Sequence, residues 1–165
     1  MDKIEQFGII SHNLCDKVED LCKFTTDMYS SASKKHMAEA TELSYDKLHK
    51  EDENVDKRLE TMAVIAMAGY SLHTGVEANK IANLMTDTYK RKNADYGNSF
   101  DESLDLYGVV GGLIRIGDKV NRIKSLVLKN KDAEVKDESI ADTYLDLANY
   151  SIMTWLWIKE QEEKE

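Results

Sequence analysis

Apolar residues recur at helical spacing along almost the whole chain. Leu14, Val18, Leu21 and Met28 share one face and predict a first helix over 10–31. A second, amphipathic and acidic, is predicted over 34–49. The charged run Lys50-Glu-Asp-Glu-Asn54 separates it from a third over 55–73, which turns Val55, Leu59, Met62, Ile65 and Ala66 inward. Thr74-Gly75 ends that helix, and a fourth spans 77–92. The run Asp95-Tyr-Gly-Asn-Ser99 is turn-forming. A fifth helix is predicted over 106–128, burying Leu106, Val109, Val110, Leu113, Val120, Ile123 and Val127. The sixth begins near 138 and is apolar almost all round, as a buried helix is. The chain has no proline. These features predict an all-α helical bundle, with the fifth and sixth helices antiparallel across a short loop.

The sixth helix carries a contradiction. Glu138, Asp142, Asp146 and Asn149 fall at i, i+4, i+8 and i+11, one stripe on a helix that is otherwise apolar. Stacked carboxylates repel, and a carboxylate without a partner in a packed helix is costly. A bound cation or an opposing basic side chain relieves that cost. A capping box offers a plainer role for part of the stripe, with Ser139 as N-cap and Asp142 three residues on. Asp137 and Glu138 would then favour the positive end of the helix dipole. Asp146 lies beyond the reach of any cap, so it is the stripe's strongest pointer to a site.

The fifth helix presents Arg115, Asp118, Lys119 and Arg122 on its polar side. Such a face is either a solvated salt-bridge stripe or a surface for phosphates. Gly108, Gly111, Gly112 and Gly117 crowd the same segment. Glycine weakens a helix, so four of them suggest close approach by another helix or a ligand. Tyr96, Tyr107, Tyr144 and Tyr150 are nearby candidates for stacking a base. Tyr144 and Tyr150 read better as core residues, and Tyr96, in the turn, as the stacking residue.

Charge and length narrow the classes. The chain has 165 residues and a net charge of −9, which argues against a duplex nucleic-acid surface but not against a small basic pocket. The length fits one domain, read as an N-terminal helical part over 1–75, a core over 76–160 and a charged tail over 161–165. The charged start and the lack of a long apolar run predict no membrane partner and a cytoplasmic setting. Cys15 and Cys22 sit seven residues apart on one helix, about 10 Å by helical rise and too far to bridge. His12, His36, His49 and His73 are scattered and do not suggest zinc. Ala68-Gly-Tyr-Ser-Leu72 echoes Ala148-Asn-Tyr-Ser-Ile152, and Thr26-Asp-Met-Tyr29 echoes Thr86-Asp-Thr-Tyr89. A degraded duplication would place Met62 and Ala66 opposite Asp142 and Asp146. Chance similarity explains the echo at least as well.

Three runs lie in one order and spacing: Asp-Tyr-Gly-Asn-Ser-Phe at 95–100, Gly-Leu-Ile-Arg-Ile-Gly-Asp-Lys-Val-Asn-Arg-Ile at 112–123, and Asp-Glu-Ser-Ile-Ala-Asp-Thr-Tyr-Leu-Asp-Leu-Ala-Asn-Tyr-Ser-Ile at 137–152. Together they resemble the nucleotide modification associated domain family, which is similar to the MazG-like all-α nucleotide pyrophosphohydrolases. The resemblance implies a bacterial or phage-infected cytoplasm, a nucleotide ligand and a homo-oligomer, dimer or tetramer. It implies Mg²⁺, or Mn²⁺ in its place, held by Asp142 and Asp146, with Glu138 or Asp118 completing the shell. A metal-bound water would then cleave a (deoxy)nucleoside triphosphate to monophosphate and pyrophosphate. Asp142 and Asp146 would be the catalytic pair. Lys92, Asp95, Tyr96, Asn98, Arg115, Lys119, Arg122 and Asn149 would contact substrate. The chain departs from the MazG-like pattern at Thr143, where a Glu is expected, and at Gly117, where an acid is common. Literal acidic spacings arise by chance in a chain with 31 acidic residues, and of these Glu39 and Glu42 are retained as alternative ligands. The incomplete acidic motif favours a second reading, a binding or sequestering protein without turnover. A third is a helical oligomerisation scaffold in which the stripe and basic face form a salt-bridge network.

Overall fold

A computed structural model describes residues 1–23, 31–48, 54–129 and 138–164. Every element among them is helical: α1 (Lys3–Asn13), α2 (Cys15–Lys23), α3 (Ser31–Leu48), α4 (Val55–Thr74), α5 (Ala78–Tyr96), α6 (Ser99–Tyr107), α7 (Val109–Ile123) and α8 (Ile140–Glu162). A single π-turn, Lys124–Leu128, extends α7. Met28, His49, the break at 50–53 and the Thr26–Tyr29 echo lie outside the described residues.

The all-α prediction holds, but two predicted helices are divided. The first begins earlier, because Asp2 and Glu5 form a reciprocal capping box at the start of α1. It loosens at Leu14, whose backbone stays helical, and resumes as α2, where Cys15 and Cys22 are buried free thiols. The predicted fifth helix is interrupted at Gly108, which has a φ of +64°. That left-handed value suits glycine and ends α6. It also resets the helical phase, and the predicted apolar face is corrected accordingly. Leu106 and Val110 are 75% and 58% exposed, and Ile116 is buried with Val120 and Ile123.

The core centres on α4 against α8, the most extensive helix pair. Leu59, Met62, Ala66, Met67 and Leu72 on α4 meet Tyr144, Leu147, Ala148 and Ile152 on α8 within one continuous cluster. The N-terminal helices therefore share a core with the C-terminal ones. On the other side α7 lies along α8. A Cβ on Gly112 would stand 2.3 Å from the Thr154 hydroxyl, so only glycine permits this approach. The crowded glycines of α7 thus serve helix packing, one of the two roles expected of them.

Among the described residues no helix is long and apolar enough to cross a membrane.

Candidate functional site

Where the C-terminal end of α5, the start of α6 and the middle of α7 and α8 meet, they leave a cleft of about 360 Å³. The α5 wall supplies Tyr89, Lys92, Asn93 and Tyr96, and α8 supplies Asp146, Asn149, Tyr150 and Met153. Each set runs i, i+3, i+4, i+7, a single helical face. Gly97, Ser99 and Phe100 close one end, and Arg115 comes from α7. Gly97 adopts φ +61°, ends α5 and turns the chain into α6.

Ion pairs organise the polar half. Lys92 donates to Asp146 Oδ1 at 2.8 Å, and Lys119 Nζ stands 2.9 Å from Oδ2. Lys119 also donates to Glu138 at 3.2 Å. Burial alone raises the Asp146 pKa. The hydrogen bonds and charges of the two lysines outweigh that effect and hold the carboxyl below its usual range. For Lys119, burial disfavours the charged form, and the carboxylates Asp146 and Glu138 more than restore it. Arg122 is spent on structure. It donates to Thr143 Oγ1 at 3.0 Å and to the Glu138 carbonyl at 2.7 Å, tying α7 to the start of α8. Arg115 is exposed and makes no ion pair or hydrogen bond among the described residues.

Aromatic side chains line the other half. Phe100 and Tyr150 pack with centroids 5.2 Å apart and planes at 46°, while Tyr96 stands exposed at the mouth. Behind the cleft, Tyr89 packs on Phe7 of α1 at 4.7 Å. Burial raises its phenol pKa, and Asp101, Glu160 and Asp2 add to the rise. Lys3 links Asp101, in the first turn of α6, to Glu160 on α8, so α1 braces the wall that carries Phe100.

Asn149 is the most informative residue of the lining. It is 5% exposed, and its Oδ1 has no hydrogen-bond partner among the described residues. A buried amide acceptor left unpaired costs on the order of 1–3 kcal/mol. Asn149 also lines the cleft, so this unmatched amide oxygen belongs to a residue of the cleft wall.

Of the residues read from the sequence, Lys92, Tyr96, Arg115, Asp146 and Asn149 line the cleft. Lys119 reaches Asp146 from behind, and Glu138 and Arg122 stand one contact further away. Asp95 and Asn98 are exposed beside the mouth but do not line it. Asp142 closes a capping box with Ser139: its backbone N–H bonds Ser139 Oγ at 3.0 Å, and its carboxylate accepts from the Ser139 N–H at 3.0 Å. Asp118 is exposed, lies near Tyr45 and does not line the cleft. The four acids therefore do not converge, and Glu138 and Asp146 are already matched by cations. Among the described residues, no three His, Cys, Asp or Glu side chains form a group that could hold a metal ion. Glu42 pairs with Lys124 and Glu39 with Lys35, away from the cleft. Tyr107 is exposed and outside the cleft, and Tyr144 is fully buried.

The sequence reading missed Tyr89, Asn93, Ser99, Phe100 and Met153, and it placed Tyr150 in the core. Stepping outward by helical period from Lys92 and Asp146 finds all of them except Ser99 and Phe100, which the turn brings in.

No curated protein and no solved structure matches the chain. A family model described as nucleotide modification associated domain 1 matches residues 92–158, less than half of the chain. That stretch is similar to the family and includes every cleft-lining residue except Tyr89.

Proposed function

We propose that the cleft binds a nucleotide. Arg115 and Lys92 would take phosphate, and Tyr96 with the Phe100–Tyr150 wall would take the base. Asn149 would receive a polar edge of the base or sugar. The observation that carries this reading is the meeting of a free arginine, an aromatic wall and a buried unpaired amide in one cleft, within the segment similar to a nucleotide-associated family. Arginine suits phosphate through its fork of donors, and base stacking on aromatic side chains is worth about 1–3 kcal/mol per base.

Binding without turnover is the form that the side-chain contacts support best. Hydrolysis of a triphosphate through Asp142 and Asp146 would require carboxylates open to a cation. Asp146 is held by two lysines and Asp142 by its cap. The deciding experiment incubates the protein with a panel of nucleosides and nucleotides, with and without Mg²⁺. It reads the melting temperature and pyrophosphate release together. A nucleotide-dependent rise in melting temperature without pyrophosphate supports the proposal. Pyrophosphate release restores the hydrolase reading, and no shift with any nucleotide refutes nucleotide binding here.

A further inference from the structure

Building on that reading, we infer that the cleft is matched to a nucleoside monophosphate rather than to a triphosphate. Two independent observations converge on this class. The first is size. At about 360 Å³ the cleft stands at the small end of ligand pockets, which run from roughly 300 to 1,000 Å³. A base and sugar against the aromatic half leave room for one phosphate beside Arg115 and Lys92.

The second is charge. Lys92, Lys119 and Arg122 form one ion-pair network with Asp146 and Glu138, and unpaired Arg115 in the cleft lining adds a fourth cation to those two carboxylates. The excess of two positive charges balances a phosphate monoester, which carries about −1.5 to −2 near neutral pH. Each further phosphate adds about one more negative charge, and the lining offers no cation besides Lys92 and Arg115 to meet it. The chain as a whole is already at −9, so the wider field opposes the added charge. Lys92 is the side chain that can adjust. It is half exposed while it pairs with Asp146, and Lys119 keeps Asp146 neutralised from the other oxygen. Lys92 can therefore turn from the carboxylate to an arriving phosphate without leaving Asp146 alone.

Calorimetric titration of the full chain in EDTA at low salt tests this. The probes are the nucleoside, monophosphate, diphosphate and triphosphate of each of the four common deoxynucleosides. For the best-bound base, the monophosphate is expected to bind at least ten-fold tighter than the nucleoside. The triphosphate is expected to bind no more than three-fold tighter than the monophosphate. Arg115→Ala should remove most of the monophosphate gain while leaving the nucleoside unaffected, and its melting curve serves as the folding control. A triphosphate preferred by more than three-fold, or a nucleoside bound as well as its monophosphate, overturns the inference and leaves nucleotide binding standing. Absence of binding by every probe overturns both.

Discussion

The two long central helices, α4 and α8, share the pattern Ala-x-Tyr-Ser followed by Leu or Ile and lie against each other through the core, yet only α8 reaches the cleft. At the positions where α8 has Asp142, Asp146 and Asn149, α4 has Met62, Ala66 and Gly69, and all three are buried. The helices around α4 cover the side that carries these three residues, and α4 meets solvent along Lys57, Thr61 and Ile65, beside α2. The middle of α8 faces the cleft that α5 and α6 do not close, and there it carries Asp146 and Asn149. A polar stripe on a buried helix therefore marks where packing is incomplete.

The comparison breaks most severely if α4 is given the α8 residue. Ala66→Asp would place a carboxylate at a fully buried position surrounded by apolar side chains. An uncompensated buried charge costs about 3–5 kcal/mol. The variant is expected to unfold at much lower urea concentration or to fail to fold. Parent-like stability would mean that α4 has an opening or cation unlike anything described for it.

The next test sets two cleft residues against each other. Arg115→Ala removes an exposed, unpaired cation and should leave the melting temperature unchanged. It should weaken monophosphate binding by at least ten-fold, since charge-assisted hydrogen bonds are worth about 1.5–3 kcal/mol. Asp146→Asn should do the reverse. It breaks two ion pairs between helices and should lower the melting temperature. It also removes a negative charge and frees two lysines, so phosphate affinity should rise, by about five-fold if roughly 1 kcal/mol of repulsion is relieved. Loss of nucleotide binding in Asp146→Asn would show that this carboxylate acts on the ligand directly, as the metal reading requires.

Much of this was legible in the chain. The helical period and the absence of proline carried the fold class. The stripe on α8 carried Asp146 and Asn149, because a polar residue on an apolar helix is conspicuous at any position. Gly108 was visible as a glycine, but its left-handed backbone was not. One residue in that conformation rotated the faces before and after it, which is why Leu106 and Val110 were misplaced. Arg122 and Arg115 look equivalent in sequence, seven residues apart on one helix. Only the fold shows that Arg122 is consumed by Thr143 and the Glu138 carbonyl while Arg115 is left facing the cleft. Phe100 enters through the turn at Gly97, and no periodicity reports that.

A smaller effect distinguishes the far end of α4. His73 lies against the Tyr144 ring at 5.5 Å, and its Nε2 has no hydrogen-bond partner among the described residues. Burial, with Lys34 adding to it, lowers its pKa from 6.5 to about 4. The unfolded chain therefore binds this proton more readily than the folded one. The stability due to neutral His73 is complete above pH 6.5 and falls as pH drops from 6.5 towards 4. Discounted for partial exposure, the loss is on the order of 1–2 kcal/mol. Asp146 does not contribute in that window, because its lowered pKa delays its loss until the pH falls below 3.8. Urea denaturation at pH 7 and pH 5 should show the drop in the parent and a smaller one in His73→Phe. Equal drops would place the proton uptake elsewhere.

The smallest effect tests the acid that the sequence placed beside Asp146. Asp142 and Asp146 are one helical turn apart and look alike in the stripe, but their surroundings assign them different work. The Asp142 carboxylate accepts from both the backbone N–H and the hydroxyl of Ser139, at 3.0 and 2.7 Å, and completes the first turn of α8. Its negative charge also suits the positive end of the helix. Asp142→Ala should therefore cost about 1 kcal/mol, the usual price of a lost cap. Most of that should return in Asp142→Glu, which restores the Ser-x-x-Glu box. Monophosphate affinity should stay within two-fold of the parent in both variants, because Asp142 does not line the cleft. A large loss of affinity in Asp142→Ala with little change in stability would reverse the assignment and return Asp142 to the ligand.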